Sequence, residues 1–328
     1  MRVGITYDTE DMYQDIKGHH DFAEEVSIQN LKRELESIGH EVKLIGNIDS
    51  LIKFLETDKN GCDIIYNTAE GVFSRNREGL IPSILEAYKV PYIGTDAFGL
   101  SLTLNKYLTK LLAIRLGIKT PNYCLIEYRE NLVNEENIKN QIKNLRYPII
   151  AKPNLEGNSS GIKKFEDFSD DTVEEILDLL NQFKTDILCE EFIFGTEITV
   201  PVVGNEKFEL FGITGIDLQR DNSFWLNLSY KLYGDYNNIN LELSPELKEE
   251  FQEIVSKLFH AIGCKDLARF DFRLTDQNEI YFIEVNPLPA LFQGGSFDVI
   301  GRAKGLSYSE MLQLIIDVAC NRLSIPKI

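Results

Sequence analysis

Strict alternation of polar and apolar side chains is clearest near the C-terminus, in Arg269-Phe270-Asp271-Phe272 and Glu284-Val285-Asn286-Pro287. Between them Thr275-Asp276-Gln277-Asn278 supplies turn chemistry, so the stretch predicts two antiparallel strands joined by a short connection. Side chains on a strand alternate faces: Arg269 and Asp271 point one way and Phe270 and Phe272 the other, while Glu284 and Asn286 share a face. If both polar pairs look out on the same side, an Asp, a Glu and an Asn converge as hard oxygen ligands of the kind Mg²⁺ takes beside nucleotide phosphates. Arg269 would stand beside them to hold a developing negative charge. A solvated sheet face carrying an ordinary ion pair is the competing reading, because carboxylates on exposed strands are common.

The first hundred residues follow a different rule. Val3–Tyr7 and Val42–Ile45 read as strands around a helix over Glu24–Ile38, whose Val26, Leu31, Leu35 and Ile38 recur at spacings of five, four and three residues before Gly39 stops it. Leu51–Leu55, Asp63–Tyr66, a helix over Leu80–Tyr88 and a short strand at Pro91-Tyr92-Ile93 continue the alternation, which predicts an open, doubly wound parallel sheet. The loop after the first strand, Tyr7-Asp8-Thr9-Glu10-Asp11, lacks GxGxxG and so disfavours a dinucleotide-binding enzyme. A new unit begins near Leu104, where Asn105 caps a helix running to Leu116, with Gly117 and Pro121 beyond it. The polar segment Glu127–Asn144 reads as a loop and a surface helix. Next come a strand at Pro148–Lys152, a loop over Pro153–Gly161, a strand from Ile162, a helix over Thr172–Leu180 and a strand at Ile187–Phe192. From Gly195 the chain is strand-rich, with helices over Pro245–Ala261 and Ser309–Ala319. The class is therefore α/β, becoming α+β in the C-terminal half.

Charge narrows the partners. With 52 acidic against 34 basic residues, the net charge of −18 disfavours nucleic acid and anionic membranes, which need a basic footprint. Any phosphate chemistry must use local islands of Lys and Arg. The five cysteines have no CxxC spacing and the adjacent His19-His20 lacks metal-ligand spacing, so neither a zinc site nor a disulfide framework is expected. The chain opens on a strand pattern rather than a signal sequence and has no apolar run of membrane-spanning length, so a cytoplasmic protein is expected.

Several further residues carry paired readings. Pro153–Gly161 is rich in Asn, Ser and Gly after a strand ending in Lys152; it suits a flap whose donors fold over phosphate oxygens, and equally a plain hairpin turn. Glu190-Glu191-Phe192-Ile193 ends a strand and leads to Glu197, a candidate for bridging ribose hydroxyls, though the two glutamates also suit a solvated edge. Lys106, in the first turn of its helix, opposes the helix dipole unless an anion is near. Lys231, in the aromatic stretch Leu228–Tyr236, suits either a lid or an amphipathic surface segment.

Taken in order, these residues resemble the ATP-grasp superfamily, most closely its D-alanine:D-alanine ligase branch. The matching features are Lys106 in Leu104-Asn105-Lys106, Lys152 before the small-residue loop, Glu190 with Glu197 seven residues on, Lys231, Arg269-x-Asp271 and Glu284-x-Asn286. The resemblance implies three domains, here 1–103, 104–193 and 194–328, with ATP clamped between the second and third. It assigns Lys106 and Lys152, with Asn158 and Ser159 of the flap, to ATP phosphates; Glu190, Phe192 and Ile193 to adenine; and Glu197 to ribose. Asp271, Glu284 and Asn286 would hold two Mg²⁺ ions, Arg269 would stabilise an acyl phosphate and the following tetrahedral intermediate, and Lys231 would assist phosphoryl transfer. A homodimer and an amino-acid or small-peptide substrate, free or tethered to a carrier, belong to the same expectation.

The chain departs from the family pattern around the substrate. Glu25-Val26-Ser27 resembles the segment that contacts the first amino acid, but Asn158 replaces the usual flap serine, and Leu232 follows Lys231 where tyrosine is expected, with Tyr233 one place later. Asn286-Pro287-Leu288-Pro289-Ala290 replaces Asn-x-x-Pro-Gly, and Ser296 is displaced by one residue. Asn67–Gly71, with Glu70, Arg75, Arg77 and Glu78, differs from the usual His-Gly segment. Glu25, Glu70, Arg77, Ala290 and Ser296 are thus the candidate substrate contacts. The expected activity is ATP-dependent carboxylate–amine ligation, with an ATP-grasp kinase or a non-catalytic nucleotide-binding regulator as alternatives.

Overall fold

The computed structural model describes residues 1–13, 22–58, 60–130, 134–218 and 236–326. Lys231, Leu232, Tyr233 and the His19-His20 pair lie outside the described residues.

Strands β1 (Arg2–Thr6), β2 (Glu41–Gly46), β3 (Ile64–Asn67) and β4 (Tyr92–Ile93) form a wholly parallel sheet in the order β2-β1-β3-β4. Helix α1 (Glu25–Ser37) covers one face, and α2 (Ile48–Asp58) with α3 (Leu80–Tyr88) covers the other. Because β3 is buried on both faces, it reads as an apolar run rather than an alternation. The strand order reverses between β1 and β3, and such a switch point opens a crevice at the carboxyl ends of the strands.

Two consecutive helices, α4 (Ala97–Leu104) and α5 (Lys106–Arg115), lead to an antiparallel sheet. It consists of β5 (Tyr123–Ile126), β6 (Ile149–Pro153), β7 (Lys163–Phe165) and β8 (Ile187–Glu191), ordered β5-β8-β6-β7 and backed by α6 (Glu135–Ile142) and α7 (Asp170–Phe183). A third sheet contains β9 (Thr196–Gly204), β10 (Phe208–Phe211), β11 (Thr214–Leu218), β12 (Tyr236–Asn240), β13 (Leu267–Leu274) and β14 (Ile280–Asn286). Its order is β12-β11-β9-β13-β14, with β10 paired to β9 and α8 (Pro245–Ile262) packed beneath.

Helices α9 (Ser296–Ala303) and α10 (Tyr308–Leu323) close the chain. The last helix returns to the first sheet: Met311, Leu312, Ile315 and Ile316 share a core with Val3, Ile5 and Leu35. Buried Asp266 reinforces this weld. It accepts from the Gly94 N–H at 2.9 Å, Asn205 Nδ2 at 3.1 Å, and Arg322 Nε at 2.8 Å and Nη2 at 2.6 Å. Among the described residues no helix is long and apolar enough to cross a membrane.

The sequence pattern does not anticipate α4, β5 or α9. Ala97–Leu104 is apolar almost throughout, so it has no helical period, and Asp96 starts it by accepting from the Gly99 N–H at 3.0 Å. Gly294-Gly295 masks the start of α9, which Asp298 stabilises by accepting from the Gly294 N–H at 2.6 Å.

Candidate active site

Two adjoining hollows, of about 730 Å³ and about 800 Å³, form one trough between the second and third sheets. Lys152, Ser159, Ile162 and Glu284 line both. One end is polar, with Lys106, the 156–160 loop, Arg269 and Asn286; the other is framed by Phe192, Ile193, Glu197 and Arg273.

The polar end is set by strand register. Arg269 pairs across β13–β14 with Asn286, and Asp271 pairs with Glu284; a bulge follows at Asp271/Phe272. Phe270 and Phe272 are buried in the core beneath, so the alternation read from sequence brings all four polar side chains to one face. Arg269 forks onto Asp271, donating from Nε at 3.2 Å to each carboxylate oxygen and from Nη2 at 3.0 Å, while Thr199 Oγ1 donates to Asp271 Oδ1 at 3.1 Å. Among the described residues no group of three His, Cys, Asp or Glu side chains could hold a metal by itself. Two carboxylates and an amide fit Mg²⁺, which commonly completes its shell with substrate phosphates and water.

Across the trough, Glu190 is buried between two lysines. Lys152 Nζ lies 2.6 Å from Oε2 and Lys110 Nζ lies 2.5 Å from Oε1, the latter without hydrogen-bond angular geometry, so it acts as a charge contact. Burial alone would raise the Glu190 pKa, but the two ammonium groups together hold it down to about 2. Burial also pulls Lys110 below the ordinary lysine value, with Glu190 opposing. For Lys152 the burial effect is outweighed by Glu190 and Glu284, and its pKa rises. With its pKa raised, Lys152 is cationic at neutral pH. Lys110 was not singled out by the sequence reading; its signal is its place one helical turn after Lys106. Glu190 and Glu191 are both buried on a central strand rather than solvating an edge. Glu191 faces away from this network, accepting from the Arg146 N–H at 2.9 Å and Asn122 Nδ2 at 3.1 Å.

Asn154 locks the start of α5 to the loop after β6. Its side-chain oxygen accepts from the Tyr107 N–H at 2.8 Å, and its carbonyl accepts from the Lys106 N–H at 3.2 Å. Lys106 Nζ donates to the Glu156 carbonyl. Burial lowers the Lys106 pKa, aided by Lys152 and Arg77 and opposed by Glu284 and Glu78. In the loop itself Asn158 and Ser159 have φ of 46° and 62°, a left-handed pair closed by the Ser160 N–H donating to the Gly157 carbonyl at 2.9 Å.

At the opposite end β8 runs into Phe192 and Ile193 and turns at Gly195. This residue has φ of 141°, and a Cβ there would lie 2.1 Å from the Leu274 carbonyl oxygen, so glycine is required. Glu197 then starts β9 within reach of Arg273 Nη1 at 3.4 Å.

The substrate candidates are divided. Glu70 and Asn158 line both the polar end of the trough and a third hollow of about 660 Å³ beneath α1. Ile28, Leu31, Leu288, Ala290 and Leu291 contribute to that hollow, which lies beside the sheet's switch point. Arg77 is buried, with Nη1 donating to the Leu155 carbonyl at 3.3 Å. Glu25 is exposed and accepts from Gln29 Nε2 at 2.7 Å, and Ser296 is buried at the start of α9; neither lines the three hollows.

The model for the D-ala D-ala ligase C-terminus family matches residues 112–317. The chain is 30% identical over 286 residues to the D-alanine–D-alanine ligase of Natranaerobius thermophilus, covering 85% of this chain and 74% of that protein. It is 28% identical over 260 residues to the vancomycin C-type resistance protein VanC2 of Enterococcus casseliflavus, covering 78% and 71%. The crystal structure of D-alanine–D-alanine ligase from Bacillus anthracis complexed with ATP superimposes with a TM-score of 0.75 over 100% of both chains at 22% identity.

Proposed function

This chain belongs to the D-alanine–D-alanine ligase family of ATP-grasp enzymes, and from that premise we propose that it joins the carboxylate of an amino acid with an apolar side chain to the amine of a second amino acid. It is an ATP-using ligase that forms C–N bonds and acts on amino-acid substrates. The observation that carries the finer reading is the continuity of the trough with the apolar hollow through Glu70 and Asn158. A carboxylate held near Arg269 can extend its side chain toward Ile28, Leu31 and Leu288.

A carboxylate oxygen attacks the γ-phosphorus, the bond to the β–γ bridging oxygen breaks, and ADP leaves. The amine then attacks the acyl carbon, phosphate leaves with its bonding pair, and the amide nitrogen loses a proton. Lys106 and Lys152 hold phosphate oxygens, the Asn158-Ser159 turn covers them, and Arg269 stabilises charge on the acyl phosphate and the tetrahedral intermediate. Asp271, Glu284 and Asn286 would hold Mg²⁺, which neutralises phosphate charge. Glu190 positions Lys152, Phe192 and Ile193 frame the base, Glu197 meets the ribose, and Lys231, which lies outside the described residues, would assist phosphoryl transfer. Residues 1–103, 104–193 and 194–328 each carry one sheet, with the last helix returning to the first. The five free cysteines suit a reducing compartment, and the cytoplasm is the proposed location.

A pairwise amino-acid screen with ATP and Mg²⁺, reading phosphate release and product mass, tests the proposal. It requires a product equal in mass to two amino acids less water. Phosphate release independent of any amine across the panel, or a stable phosphate ester, would contradict it.

A further inference from the structure

Arg273 lies on the same face of β13 as Arg269 and Asp271, but it is 5% exposed, in the wall of the base end. Its Nε donates to the Ile193 carbonyl at 3.0 Å, its Nη1 meets Glu197 Oε2 at 3.4 Å, and its guanidinium carbon lies 5.0 Å from the centre of the Phe192 ring. Nη2 is buried and has no hydrogen-bond partner among the described residues. An unpaired buried donor forfeits the hydrogen bond it would make in water, so a ligand that supplies an acceptor gains by relieving it.

Position identifies the acceptor. At a rise of about 3.3 Å per residue, Arg273 stands about 13 Å along the strand from Arg269, in the direction from triphosphate toward nucleoside. An ionised carboxylate such as Glu197 can only accept, so a sugar hydroxyl placed there donates its hydrogen to Glu197 and leaves its oxygen lone pairs for another donor.

We propose that Arg273 determines nucleoside specificity: Nη2 donates to the 2′-hydroxyl oxygen of ATP, while Nε and Nη1 fix the Ile193 carbonyl and the Glu197 carboxylate around the same sugar. This inference rests on the trough being the ATP site. It assigns to a core arginine the discrimination between ribose and deoxyribose. The guanidinium fork can hold three acceptors at once, whereas a lysine ammonium at that position lacks its planar reach.

Titration calorimetry of the full chain with Mg²⁺ and either ATP or 2′-deoxy-ATP tests this without turnover. The wild type should bind ATP at least about tenfold more tightly than 2′-deoxy-ATP, since a site built to pair a hydroxyl rejects the analogue lacking it. Arg273→Met should bring the two affinities within about threefold, chiefly by weakening ATP, and Arg273→Lys should fall between. Thermal melts of both variants establish that the compared proteins are folded, with Arg273→Lys carrying the comparison if Arg273→Met is not. Equal weakening toward both nucleotides would reduce Arg273 to structural support, and equal wild-type affinities would overturn the proposal outright. If 3-deaza-ATP rather than 2′-deoxy-ATP loses its affinity difference in the variant, the acceptor is the purine ring and the ribose assignment fails. A wild type that binds no nucleotide would remove the ATP reading itself.

Discussion

Asp271 stands directly across the β13–β14 ladder from Glu284. Like charges placed opposite one another on neighbouring strands destabilise a sheet, and Asp271 receives the Arg269 fork described above. The arrangement is therefore better suited to a cation and a phosphorylated ligand than to holding the two strands together. Phe270 and Phe272 already do that from the opposite face.

Glu284→Gln and Arg269→Ala should each lower turnover by well over tenfold, roughly the effect of losing a metal ligand or a charge stabiliser. Steady-state phosphate release checks both. Because neither side chain belongs to the apolar core, melting temperatures close to the wild type are expected.

The Lys110–Glu190–Lys152 network predicts a different outcome. Lys110→Met removes one partner of a buried ion pair, an effect of about 3–5 kcal/mol where the remaining charge is uncompensated. Glu190 keeps Lys152, so the lower end of that range is expected from denaturant unfolding. ATP affinity should also fall, because Glu190 loses the second lysine that fixes it and so anchors Lys152 less firmly.

Acid should act through the same carboxylate. Its folded pKa of about 2 lies below the ordinary 4.5, so its contribution to stability is fully present above pH 4.5 and is lost as pH falls toward 2. The difference in melting temperature between wild type and Glu190→Gln should therefore shrink across that interval. A difference that stays constant from pH 6 to pH 2 would contradict the depressed pKa.

The polar face of β13–β14 is legible in the sequence because strand alternation translates directly into sides of a sheet. Lys106, Lys152 and Glu197 all line the trough, and what marks them in the sequence is an order that resembles the family's. Lys110 and Arg273 escape notice for a physical reason: both are charged residues whose burial depends on partners far away in sequence, Glu190 for one and Ile193 and Glu197 for the other. Their periodic clues, one helical turn after Lys106 and two residues after Asp271, do not distinguish a buried cation from a solvated one. Helix α4 is hidden because its sides are almost uniformly apolar, and the return of α10 onto the first sheet is a tertiary contact that no local pattern encodes.

Substrate selection should respond to the hollow beneath α1. Ala290→Trp places a large ring at its wall and should shift the preference among carboxylate donors from leucine toward alanine by about tenfold or more, the effect of excluding a few methylenes. Competition between the two amino acids, read by product mass, checks this. ATP affinity should be unchanged, since Ala290 does not line the trough.

The central claim is ligation through an acyl phosphate, and oxygen tracing tests it most directly. The donor amino acid is labelled with ¹⁸O in its carboxylate and incubated with ATP, Mg²⁺ and the amine acceptor, and the released phosphate is analysed by mass. Transfer of one ¹⁸O atom to phosphate for each amide formed is the expected result, because the attacking carboxylate oxygen leaves with the phosphoryl group. Amide formation with unlabelled phosphate would contradict the account.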